Sequence, residues 1–251
     1  MAPAGLSKPS TIERSASLDE LPTAGVFIVE PEHLLPLHVR GTAICGEDAR
    51  TAAWRATVAD AARATALVDV AAVSLGFTVA PGRRVDVDNL ARPALEGLRD
   101  AGWFRRGFPS LDRLRVTKAF GADVGLVVSV GDVTDDLLDV DFATSLTGVI
   151  PSEGAHEVKR AWRDTVAALW ARPPIDGDVA VELAFNTRAS IVGLLKANID
   201  TLEPVLGRDP SGRLTFCPLD DNVTSLVARR TQGDAPALHV RVARMTRENA
   251  R

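Results

Sequence analysis

Asp86 and Asp88 stand two positions apart in the run Arg83-Arg84-Val85-Asp86-Val87-Asp88-Asn89-Leu90. Residues at i and i+2 of an extended segment face the same side, so both carboxylates can address one ion, and Asn89 is placed to cap the helix that follows. Carboxylate oxygens are hard ligands of the kind that suit Mg²⁺ or Mn²⁺. A calcium EF-hand loop is excluded, because the fifth and sixth positions from Asp86 are Leu90 and Ala91 where that loop needs Asp or Asn and then Gly. An exposed acidic turn would carry the same short motif, and the neighbours separate the two readings. Pro81-Gly82 makes a turn that leads into two cations, Arg83 and Arg84. Carboxylates for a metal beside arginines for phosphate suit a phosphodiester substrate.

These residues belong to a pattern that recurs. Ala53-Trp54-Arg55-Ala56-Thr57-Val58-Ala59 returns as Ala161-Trp162-Arg163-Asp164-Thr165-Val166-Ala167, about 108 positions later (162 minus 54). Val73-Ser74-Leu75-Gly76-Phe77-Thr78 returns at the same offset as Val181-Glu182-Leu183-Ala184-Phe185-Asn186. At an offset of about 112 (200 minus 88), Asp86 to Leu90 falls on Asn198-Ile199-Asp200-Thr201-Leu202, and Leu126 to Val130 falls on Leu238 to Val242. Four matches in one order at nearly constant spacing indicate a tandem duplication.

Each copy alternates helix and strand signals. Trp54, Val58 and Ala62, like Trp162, Val166 and Trp170, repeat at helical spacing. Val73, Leu75, Phe77 and Val79 alternate as a half-buried strand, as do Val181, Leu183 and Phe185. Leu90, Ala94, Leu98 and Ala101 mark a helix after the acidic motif, with Pro93 and Pro204 expected near helix starts. Strands near Leu111 to Lys118 and Val124 to Val130, repeated near Val223 to Arg230 and Leu238 to Val242, are expected to pair as antiparallel neighbours across short turns. The predicted fold is α+β: two domains, at 24–133 and 134–251, each a small mixed or antiparallel sheet covered by helices and related by a pseudo-twofold. Trp54, Phe77, Trp162 and Phe185 are predicted core residues.

Composition bounds the rest. The 251 residues, 46% hydrophobic and 25% charged, suffice for two cores of ordinary size. Residues 1–23, rich in Ser, Pro and Ala, are expected to be a mobile tail. No apolar run approaches the roughly 20 residues that span a bilayer, and no secretory signal stands at Met1, so the expected location is the cytoplasm. Cys45 and Cys217 are expected to be reduced, buried thiols. A net charge of −4 and a pI near 5.6 argue against nucleic acid as a partner. Against that average, Arg83-Arg84, Arg105-Arg106 and Arg229-Arg230 flank the motif regions of both copies and could line a basic groove.

The run from Arg83 to Leu90, its helix, Ala101-Gly102-Trp103-Phe104 and the strand pair ending near Val130 resemble the RusA family of Holliday junction resolvases. The family pattern is Asp-x-Asp-Asn-Leu, a helix with a basic residue soon after, then an Asp-Asp pair leading into a strand. The resemblance covers most of Ala24 to Asp132 and, more faintly, about Leu137 to Ala243. It implies a Mg²⁺-dependent endonuclease acting on branched DNA as a homodimer, and the duplication would place that dimer in one chain, able to act as a monomer.

Neither copy matches the whole pattern. The first keeps Asp86, Asp88 and Asn89, has Arg92 where the family carries lysine, and lacks the later acidic pair, reading Arg105-Arg106-Gly107-Phe108-Pro109-Ser110 there. The second has Asn198 for the first carboxylate and Thr201 for the asparagine, keeps Asp200, and offers Leu219-Asp220-Asp221-Asn222-Val223 as the later pair. The candidate ligands for Mg²⁺ or Mn²⁺ are therefore Asp86, Asp88, Asp200, Asp220 and Asp221. The candidate DNA contacts are Arg83, Arg84, Arg92, Arg105, Arg106, Arg229 and Arg230. Three outcomes stand open: the second copy works alone with Asp200, Asp220 and Asp221; the halves complement each other; or both sites are dead. The last would leave a non-catalytic DNA-binding or assembly protein of the same fold.

Overall fold

A computed structural model describes residues 36–245 apart from 47–48, 66, 68, 132–138, 213–214 and 232. The expected tail at 1–23 lies outside the described residues. In chain order the elements are β1 (Leu37–Arg40), α1 (Ala49–Arg63), β2 (Ala72–Val79), α2 (Val87–Asp100), β3 (Arg113–Phe120), β4 (Gly125–Val130) and β5 (Phe142–Thr147). They continue with α3 (His156–Leu169), β6 (Val179–Asn186), α4 (Leu195–Ile199), α5 (Glu203–Leu206), β7 (Val223–Arg230) and β8 (Ala237–Arg244). Short 3-10 turns at Phe108–Ser110 and Asp220–Asn222 precede β3 and β7.

The eight strands among the described residues form a single mixed sheet in the order β1-β4-β2-β3-β7-β6-β8-β5. The halves of the chain thus share one sheet, with β3 and β7 antiparallel at its middle through Arg113↔Arg229 to Thr117↔Ser225. On either side of that seam the pattern is alike: β2 is parallel to β3 and antiparallel to β4, and β6 is parallel to β7 and antiparallel to β8. The expected β3–β4 and β7–β8 hairpins do not form, because a strand is inserted between the members of each pair. The connections instead cross the ends of the inserted strands, where Gly121 N donates to Val79 O at 3.0 Å and Thr231 N donates to Phe185 O at 2.8 Å. β5, from the start of the expected second domain, pairs with β8 at one edge of the sheet.

The strand alternation decides which face is packed. Val73, Leu75, Phe77 and Val79 are buried while Ala72, Ser74, Gly76 and Thr78 are half-buried, so β2 turns one face to the helices. β6 lies deeper, with every residue from Val179 to Phe185 buried. Trp54, Phe77, Trp162 and Phe185 are all buried, and the apolar core runs continuously through both halves. α1 clamps α2, the helix that carries Asp88: Arg55 bonds Asp100 at 2.5 Å and Glu96 at 3.1 Å across the two helices. Gly97 lets them approach, since a Cβ there would lie 2.7 Å from Arg55 O and 2.9 Å from Val58 Cβ. Gly97→Ala should therefore lower the thermal unfolding midpoint, because overpacking of about 1–3 kcal/mol exceeds the helix-propensity gain of about 1 kcal/mol. Circular dichroism melts check this; an unchanged or raised midpoint would mean that α1 yields without cost.

Candidate metal centre

The acidic motif is built at the point where β2 gives way to α2. After Val79 the chain turns at Pro81-Gly82, with Gly82 at φ 78°, and runs extended into Asp86, the N-cap residue, at φ −78° and ψ 144°. The helix begins at Val87, one turn earlier than a cap at Asn89 would allow. Asn89 lies inside the first turn, where its Nδ2 donates to Asp86 Oδ2 at 2.5 Å. Asp86 makes no side-chain cap bond, which frees its carboxylate for other partners. Asp88 lies in the first turn, where the helix dipole favours an anion. Pro93 falls inside α2 and not at its start, while Pro204 opens α5 as expected.

The turn at Asp220–Asn222 reaches the same place from the other half. It precedes β7, whose start lies beside the end of β3 because the two strands run antiparallel, and the end of β3 lies beside the end of β2. Asp86, Asp88 and Asp220 consequently converge, each with one carboxylate oxygen within 4.8 Å of the others. An ion that holds oxygens at about 2.1 Å spans about 4.2 Å between opposite ligands, so small side-chain rotations would close the set around it. Asp88 Oδ1 is buried with no hydrogen-bond partner. A buried carboxylate oxygen without a donor is costly unless something cationic satisfies it.

Lys196, from the first turn of α4, brings a cation to the cluster without bonding that oxygen. Its ammonium pairs with Asp220 and lies 4.0 Å from Asp86 and 3.5 Å from Asp200. Three converging carboxylates against one ammonium leave two negative charges, the charge of one divalent cation. Burial pushes the Asp88 carboxyl up to about 6, against the pull of Lys196, with Asp220 adding to the rise. Burial likewise pushes Asp220 up to about 6 and raises Asp86, the latter helped by Asp88. Burial works against the Lys196 charge, but Asp88, Asp220 and Asp200 outweigh it and hold the ammonium above its ordinary range.

The sign of the pH dependence follows. A folded-state pKa of about 6 means that the metal-free fold keeps protons an unfolded chain has already released, so its stability falls as pH rises from about 4 to about 6. A metal ion must displace those protons. Mn²⁺ affinity measured by isothermal titration calorimetry should weaken below pH 6, by about tenfold per pH unit for each proton displaced. Affinity that does not change between pH 7 and pH 5 would exclude Asp88 and Asp220 as ligands.

The other sequence candidates are placed elsewhere. Asp200 is buried against Lys159 at 2.5 Å, and Asp221 pairs with Arg84. Asp200 and Asp221 stand outside the converging set, which among the described residues joins Asp220 to Asp86 and Asp88 and not to the other two carboxylates of the second copy. Arg83 is half-buried, with Nη1 lacking a partner. Arg92 is exposed and 3.4 Å from Glu96, and Arg105 and Arg106 are exposed. Arg229 and Arg230 do not join the site: Arg229 pairs with buried Glu182, and Arg230 with Asp112. Cys45 and Cys217 are free but only half-buried, and both line the cleft of about 680 Å³ that also contains Arg84, Asp86, Lys159, Lys196, Phe216 and Asp220.

Sequence reasoning missed Lys196 and Lys159. A signal for Lys196 was present, for it stands 112 positions beyond Arg84 (196 minus 84) and so occupies the place of a motif-flanking cation in the second copy. No protein-family model matches the chain, and no curated protein sequence matches it either.

Proposed function

We propose that this protein is a metal-dependent endonuclease of RusA type, acting on branched DNA through one composite site. The observation that carries the reading is the convergence of Asp86 and Asp88 with Asp220, which lies 134 positions further on (220 minus 86), around a buried carboxylate oxygen that has no donor. Mg²⁺ or Mn²⁺ would be held by these three carboxylates. Bound there, the ion would activate a water and stabilise charge on the phosphate. Arg84 and Lys196, both on the cleft wall, are cations within reach of a phosphate backbone.

The matching strand pattern on either side of the β3–β7 seam supports a fused pair related by a pseudo-twofold. Under that relation Asn198, Asp200 and Phe108 take the places of Asp86, Asp88 and Asp220. The mirror position keeps one carboxylate of three, and that one is paired with Lys159. One site is complete and its mate is lost. Incubation of a four-way DNA junction with the protein and Mg²⁺ or Mn²⁺ tests the reading. Metal-dependent incision that stops with a chelator supports it. Binding without incision across several branched substrates would favour the non-catalytic alternative, and no binding at low salt would leave a likeness of fold alone.

A further inference from the structure

Lys118 lies near the end of β3 with 5% of its surface exposed, a degree of burial that lysine tolerates only with partners. Its Nζ donates to Val85 O at 3.0 Å and to Asp221 O at 2.5 Å. Val85 directly precedes Asp86, and Asp221 directly follows Asp220. One ammonium therefore grips the backbone beside the two carboxylates that come from different halves of the chain. It binds carbonyls and not carboxylates, so it holds the loops without occupying the ligand oxygens. Two other ties lie at this place: Lys196, which pairs with the Asp220 carboxylate and lies 4.0 Å from that of Asp86, and the Arg84–Asp221 ion pair, whose arginine is 63% exposed and which is worth little in water.

The far end of the seam has the same device. Arg230, 112 positions beyond Lys118 (230 minus 118), lies at the end of β7 and donates to Thr187 O at 2.5 Å, Ala189 O at 3.0 Å and Pro109 O at 3.2 Å. Pro109 stands 112 positions before Asp221 (221 minus 109), so both cations bind the turn that precedes the neighbouring central strand. Only the Lys118 end has carboxylates to position; the turn at the Arg230 end carries Phe108 and Pro109.

We propose that Lys118 is the positioning residue that assembles the composite site, by holding the backbone at Val85 and Asp221 so that Asp86, Asp88 and Asp220 stay within reach of one ion. This rests on reading those carboxylates as a metal centre. Ligand sets tolerate errors of only about 0.5 Å, so releasing either loop should cost affinity before it costs the fold.

The test is Mn²⁺ titration by calorimetry at pH 7.5 on the full chain, as wild type, Lys118→Met, Lys118→Arg and Arg230→Met, with thermal melts on each. Lys118→Met is expected to bind Mn²⁺ at least about tenfold more weakly, the range seen when supporting partners of metal ligands are lost. Arg230→Met should bind as wild type although its melting midpoint falls, which separates positioning from general stability. Lys118→Arg, which supplies the type of cation used at the other end, should stay within about threefold of wild type. Wild-type affinity in Lys118→Met, or an equal loss in Arg230→Met, would overturn the positioning role. If Lys118→Met does not fold, Lys118→Arg decides: a loss of about tenfold or more overturns the role, and retention supports it. Failure of the wild type to bind Mn²⁺ would instead overturn the metal centre, and the inference with it.

Discussion

Asp88→Asn and Asp220→Asn should each abolish metal-dependent cleavage of a four-way junction, a fall of at least about a thousandfold, or about 4 kcal/mol at the barrier. Asp86→Asn should fall as far, although it lies in the other half from Asp220, because the three carboxylates converge on one place. The double change Asp86→Asn with Asp220→Asn should be no worse than either alone, since groups that hold one ion act as a unit. Asp221→Asn and Asp200→Asn should keep activity within about tenfold, as their carboxylates face Arg84 and Lys159. Junction binding in all six variants should match the wild type, because phosphate contacts supply most of the affinity. Initial rates on a labelled junction, with gel-shift affinities beside them, measure both effects. An Asp86→Asn enzyme as fast as wild type would sink the composite site.

Cleavage should be single-stranded. On the proposed reading one ligand set is complete and its mate is reduced to Asp200, and no second group of three ligands converges among the described residues, so each binding event should yield one nick. A supercoiled plasmid with an extruded cruciform should give nicked circles first, whereas paired incision across a junction would give linear product. The measurement belongs at protein concentrations low enough to keep chains apart. Linear molecules as the first product, at a yield independent of protein concentration, would show two working sites per chain and refute the reading of the Phe108–Ser110 turn as a lost site.

What the sequence determined was local chemistry and the period of single elements. Alternation of Val73, Leu75, Phe77 and Val79 reports a strand with one buried face, and a repeated Trp at helical spacing reports a helix anchored in the core, because burial and period are properties of short segments. Asp86 and Asp88 were legible as a pair for one ion, but not through the extended spacing expected, since Asp86 is the N-cap of α2 and Asp88 lies in its first turn. The order of strands was not, since a four-residue connection can close a hairpin or pass over the end of a neighbour, and only the sheet decides which. Nor could spacing choose among five carboxylates. Asp200 and Asp221 look like ligands in the chain, yet Lys159 and Arg84, distant in sequence, take them up in the fold. Asp220 joins Asp86 and Asp88 because β3 and β7 run antiparallel at the middle of one sheet, which lays the start of β7 beside the end of β3. That register is set by side chains packing from both halves at once, so the convergence of the three carboxylates was decided by tertiary structure alone.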